Sequence, residues 1–67
     1  MIKHAIGINA GIIWELLNSR GELERTEIQE QTGLDSENLM LALGWLAREN
    51  KIFFYEKKNR IMVCLQE

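Results

Sequence analysis

Cysteine and histidine are almost missing from this 67-residue chain, which has one of each, Cys64 and His4. A lone cysteine has no partner within the chain, so no internal disulfide can hold a fold together. One histidine and one cysteine supply no ligand cluster for a metal, and no cofactor-binding pattern stands out beside them. A long apolar run is also lacking, because Asn9 and Glu15 interrupt the hydrophobic N-terminal stretch. That stretch is too short for a bilayer, which needs about 20 apolar residues. No small-residue cleavage site follows it, so it does not read as a signal peptide. The expectation is a cytoplasmic protein with no membrane partner. Charge of one sign is scarce as well: the formal net charge is −2, too little to attract nucleic acid or anionic lipid in general.

Hydrophobic residues, by contrast, make up 46% of the chain. The length predicts a single domain over residues 1–67. A chain of about 60 residues buries only about 60% of its unfolded surface, so its stability on its own is marginal. With disulfides and metals excluded, self-association is the remaining source of extra stability.

The stretch from Asp35 to Ile52 organises the rest. Asp35 can cap a helix by accepting from the unpaired amides of the first turn. Leu39, Ala42, Leu43, Leu46 and Ala47 then recur at helical spacing as a core-facing stripe. Asn50 suits the left-handed residue that ends a helix. The spacing predicts a helix over 36–50. Its outer side would carry Met40, Leu41, Gly44 and Trp45, a poor surface for a polyanion.

Upstream, a first helix is expected from about His4 to Asn18. Ile6, Ala10, Ile13, Trp14 and Leu17 share one face, and Gly21 stops it. Gly7 and Gly11 are unusual inside a helix, where each costs roughly 1 kcal/mol relative to Ala. Close approach of another backbone, inside the domain or across a subunit interface, would account for them. Ile8 and Ile12 fall on the opposite face. Glu22 to Glu24 reads as a short extended piece, followed by a second helix near residues 25–32 that sets Ile28 and Leu34 against the core. Gly33 turns the chain into Asp35, and helix, Gly turn, cap and long helix have the spacing of a helix-turn-helix.

After Lys51 the hydrophobic period becomes two. Residues 52–55 and 61–65 read as strands joined by a polar turn with Asn59 at its tip, a C-terminal β-hairpin. In this position the hairpin is a wing. Ile52 and Phe54 lie on one of its faces, Phe53 and Tyr55 on the other. One face must cover the core; the second, apolar where a wet face is normal, points to a partner.

The run from Ile6 to Trp14 and the segment from Ala42 to Ile52 resemble the small stand-alone winged helix-turn-helix domains of bacteria and archaea, whose function is uncharacterised. That resemblance spans essentially the whole chain. It implies an α+β fold of three helices followed by a β-hairpin wing, no known catalysis, and a tendency to dimerise.

Six glutamates, Glu15, Glu22, Glu24, Glu27, Glu30 and Glu37, have no base–nucleophile partner, so no catalytic residue is assigned. Cys64, in an apolar strand, fits a packed thiol. For DNA, residues 22–50 carry seven acids against two arginines, a local balance of −5. The wing is basic instead. The candidate nucleic-acid contacts are Asn38, Arg48, Lys51, Lys57, Lys58 and Arg60. Three or four phosphate contacts would give weak, salt-dependent binding with dissociation constants of roughly 10⁻⁴ to 10⁻⁶ M.

The candidate homodimer contacts are Leu41, Trp45, Phe53, Tyr55, Ile8 and Ile12. Burying one Trp removes roughly 200 Å², about 5 kcal/mol at 25 cal/mol/Å². Counted twice in a two-fold interface, Trp45 and Leu41 supply on the order of 15 kcal/mol as an upper bound. Association costs roughly 4–15 kcal/mol, so the magnitude favours a homodimeric regulatory module acting through protein contacts. A DNA-binding transcriptional regulator, reading grooves through the helix at 36–50 and phosphates through the wing, is the alternative. No small-molecule ligand is indicated.

Overall fold

A computed structural model describes residues 2–66. Helix α1 runs Ile2–Arg20, strand β1 Leu23–Glu24, helix α2 Arg25–Thr32 and helix α3 Ser36–Arg48. Strands β2 (Ile52–Lys57) and β3 (Arg60–Leu65) close the chain as a hairpin. The three strands form one antiparallel sheet in the order β1-β3-β2. Three helices with this sheet are the expected winged helix-turn-helix architecture, with β2 and β3 as the wing.

Local chemistry sets the boundaries. α1 extends two residues beyond the expected span at each end, because Ile2, Lys3, Ser19 and Arg20 can all continue a helix. It ends at Gly21, whose φ of 86° is a conformation glycine adopts without strain and whose amide bonds the Leu17 carbonyl at 2.7 Å. α2 begins with a capping box: Glu24 accepts from the Glu27 amide while the Glu27 carboxylate accepts from the Glu24 amide. Gly33, with φ 73°, ends α2. Asp35 caps α3 as expected, its Oδ1 accepting from the Asn38 amide at 2.8 Å. The last turn of α3 closes earlier than residue 50. There the Asn50 amide bonds the Ala47 carbonyl and the Lys51 amide bonds that of Leu46, with Asn50 left-handed at φ 59°. Those paired bonds satisfy carbonyls a helix end otherwise leaves open.

One core joins all these elements. Ala10, Ile13 and Leu17 from α1, Ile28 from α2, and Leu39, Ala42, Leu43 and Leu46 from α3 pack with Leu23, Ile52 and Val63 of the sheet. The stripes expected on α1 and α3 therefore face inward, with Ile6, Trp14 and Ala47 half-buried at their margins. Leu34 packs against the core from the turn. The glycines of α1 behave differently from one part of the expectation. No atom lies within 4 Å of where a Cβ would stand at Gly7 or Gly11. Close backbone approach inside the domain is therefore not their reason; the other explanation, contact with another chain, stays a proposal.

Candidate interaction surfaces

Strand register decides which hairpin side chains meet. Ile52 lies opposite Leu65, Phe54 opposite Val63 and Glu56 opposite Ile61, with Leu23 of β1 on the far side of Val63. Opposed residues in an antiparallel pair share a face, so these line the side turned to the helices. Ile52 and Val63 are buried there, but Phe54 stays 43% exposed and Ile61 37%. The wing thus runs past the end of the core, and its apolar inner side continues into solvent.

The outer side carries Phe53 opposite Cys64, Tyr55 opposite Met62 and Lys57 opposite Arg60, with Glu24 beside Met62. Phe53 is exposed, whereas Tyr55, Met62 and Cys64 are half-buried. A small hydrogen-bonded group sits among them. The Tyr55 hydroxyl donates to Glu22 Oε1 at 2.5 Å, and the Cys64 thiol donates to the same oxygen at 3.4 Å. These bonds favour the charged carboxylate and hold Glu22 below the usual carboxylate range, with the Lys57 charge adding to the effect. Ionising the hydroxyl would break its bond to a carboxylate, so the Tyr55 phenol is pushed up to about 12. Cys64 is raised as well, first by burial and then by its bond to Glu22.

A spectroscopic outcome follows, because Tyr55 is the only tyrosine in the chain. In the folded protein its phenolate absorbance should rise with a midpoint near 12, against the ordinary 10.0 in denaturant. The linkage has a definite sign. A raised folded value stabilises the fold fully below about 10, and that contribution is lost as pH climbs through the window to about 12. Glu22→Gln should bring the folded midpoint back toward the ordinary value; an unchanged midpoint in that variant would refute the assignment.

The residues singled out for partner contact fall on several elements. Ile8 and Ile12, about half exposed, project from α1 on the side away from Ile13 and Leu17. On α3, Leu41 is 42% exposed, while Trp45 is half-buried and packed against its own core. Trp45 lines a groove of about 340 Å³ together with Gly7, Gly11 and Trp14 of α1. Phe53 and Tyr55 belong to the outer side of the sheet, where only Phe53 is strongly exposed.

The residues singled out for DNA are likewise dispersed. Arg48 and Lys51 are exposed at and beyond the end of α3, and Asn38 is half-buried near its start. Lys57, Lys58 and Arg60 gather at the wing tip, where Lys58 and Asn59 form the turn with φ of 52° and 65°. Here the structure adds a feature that counting charges along the chain did not reveal. Arg60 pairs with Glu24 at 3.4 Å, and a cleft of about 390 Å³ sets Glu24 and Glu27 against Lys57, Lys58 and Arg60. The acids of the α2 capping box therefore face the cations of the wing and offset part of their field. Among the described residues, no group of three His, Cys, Asp or Glu side chains could hold a metal ion, and no helix is long and apolar enough to cross a membrane.

Comparison with known proteins agrees with this architecture. The solution structure of protein BT2368 from Bacteroides thetaiotaomicron superimposes with a TM-score of 0.86 and 37% identity, covering 97% of this chain and 79% of that one. An uncharacterized protein of Methanocaldococcus jannaschii, MJ1608, is 36% identical over 64 residues, 91% of this chain and 90% of its own length. The pattern of the family described as "Winged helix-turn-helix domain (DUF2582)" matches residues 1–65. Sharing its fold, its sequence pattern and relatives in bacteria and archaea, the chain belongs to this family of winged helix-turn-helix domains of uncharacterised function.

Proposed function

We propose that this chain is a homodimeric regulatory module that acts through protein contacts rather than by reading DNA. The observation that carries the reading is the character of its exposed side chains. Ile8, Ile12, Met40, Leu41, Phe53, Phe54 and Ile61 are all more than a third exposed. Of these, Phe54 and Ile61 share the inner side of the wing beyond the core, and an apolar patch left open in this way is the mark of an interaction surface. The outward side of α3, where a DNA-reading helix carries several of Arg, Lys, Asn and Gln, presents Glu37, Met40, Leu41 and Gly44, with Arg48 alone among those types at its end.

The basic wing tip is the one feature that favours the DNA reading, and the pairing of Arg60 with Glu24 offsets part of its charge. A titration of labelled protein with mixed-sequence duplex DNA at low and moderate salt separates the two. The protein-contact reading expects no shifts at moderate salt, together with self-association in sedimentation. A salt-sensitive complex abolished by changing Lys57, Lys58 and Arg60 to Ala would transfer the role to DNA.

A further inference from the structure

Resting on the proposed self-association, we infer that two copies join through the free edge of β2, pairing Phe54 of each with Glu56 of the other to form one continuous six-stranded sheet. β2 is the outer strand of the order β1-β3-β2, and among the described residues no other strand pairs with its far side. Its ladder to β3 is unbroken from Ile52↔Leu65 to Lys57↔Arg60, so no bulge twists the edge away. The chain contains no proline to block it. Edges of this kind recruit another strand unless something protects them.

The hairpin dictates which groups point outward. Lys57 and Arg60 flank a two-residue turn and form its hydrogen-bonded pair. Alternation then turns the main chain of Lys57, Tyr55 and Phe53 toward β3 and that of Glu56, Phe54 and Ile52 toward the open edge. Ile52 is only 4% exposed, so its edge is covered by its own domain. Phe54 and Glu56 are exposed. One antiparallel two-fold register joins both of them reciprocally, each Phe54 to the Glu56 of the second copy. Sliding the second copy by two residues in either direction brings in covered Ile52 or left-handed Lys58, and one of the two reciprocal pairs is lost.

That register has consequences on the outer side of the sheet. Tyr55 meets the second copy's Tyr55 across the axis, in a closely spaced pair with Cα atoms about 4.5 Å apart. Phe53 meets the second copy's Lys57, so an exposed ring receives a cation. Like charges are not placed opposite one another anywhere in the paired segment. The occupant is therefore a second copy, because the strand is complementary to itself.

The area limits the strength. Phe53 and Phe54 each expose a little over two fifths of their surface, and a whole aromatic side chain offers about 150–250 Å². Strand pairing alone falls well short of the about 800 Å² per partner of a standard stable interface. The dimer should dissociate on dilution.

Glu56→Pro is the direct test. It deletes an outward amide while leaving the β2–β3 ladder intact, and dichroism should show the fold retained. Each dimer loses two main-chain bonds, so the concentration at half-dissociation in sedimentation should rise about thirty-fold. Tyr55→Cys in a Cys64→Ser background should form a disulfide-linked dimer on mild oxidation, because the predicted spacing suits that bond. A protein that stays monomeric at millimolar concentration would overturn both this pairing and the self-association it rests on. A dimer that Glu56→Pro leaves unweakened, or that Tyr55→Cys cannot cross-link, would overturn the strand pairing and leave self-association through another surface standing.

Discussion

Leu43→Ala should remove a large share of the stability of this fold, about 2–5 kcal/mol. Leu43 is 1% exposed and belongs to the core shared by all three helices and the sheet. Removing its branched end forfeits the transfer energy of the lost atoms and leaves a cavity that tight surroundings close only in part, about 2–5 kcal/mol in total. A domain of this length has roughly 3–10 kcal/mol of stability to lose, at 0.05–0.15 kcal/mol per residue. The unfolding transition followed by far-UV dichroism should shift to much lower urea. Ile12→Ala removes a comparable side chain from a half-exposed position and should change stability by less than about 0.5 kcal/mol. If the two variants unfold alike, burial is not what distinguishes these sites.

Part of this molecule could be read from its residues because the signals are local. Gly21, Gly33, Asp35 and Asn50 each do one thing to the backbone, and the helix ends follow from them to within two residues. The core stripes of α1 and α3 were legible for the same reason, since helical spacing decides which side chains share a face. Alternation also assigned the faces of the wing. It did not say how far the core extends beneath them, and so Phe54, on the inner side, remains exposed. That depends on where the helices stop in space.

The contacts that went unseen are long-range. Tyr55 and Glu22 are 33 residues apart in sequence, and Cys64 and Glu22 are 42 apart. The pairing of β3 with β1 on one side and with β2 on the other brings them together. The pairing of Arg60 with Glu24 arises in the same way. Counted along the chain, an acidic helix-turn-helix and a basic wing look like separate surfaces. Folded, the acids at the start of α2 lie beside the cations of the wing, with Arg60 paired to Glu24, so the two surfaces are one. Signals for these pairs do exist in the sequence, as opposite charges and donors on or beside the strands of one sheet. They become readable only once the strand order is known.

Trp45→Ala should destabilise the fold by about 1–3 kcal/mol, by an amount that does not change with protein concentration. Full removal of a buried Trp costs about 3–5 kcal/mol, and Trp45 is only half-buried, so a part of that cost is expected. Its burial comes from its own protomer, where it packs against the core and lines the groove beside Gly7, Gly11 and Trp14. Leu41 lies one turn earlier on the same strip and is 42% exposed. Leu41→Ser should leave unfolding within about 0.5 kcal/mol of the parent, and any effect it has should appear in partner binding. Contacts within a protomer contribute equally at every dilution, whereas contacts between copies contribute by mass action. Urea unfolding of both variants across a hundredfold range of concentration therefore separates the two roles. A loss at Trp45 that grows on dilution would move this residue from the core margin into the interface between copies, and would make the groove beside Gly7 and Gly11 the seat of the second chain.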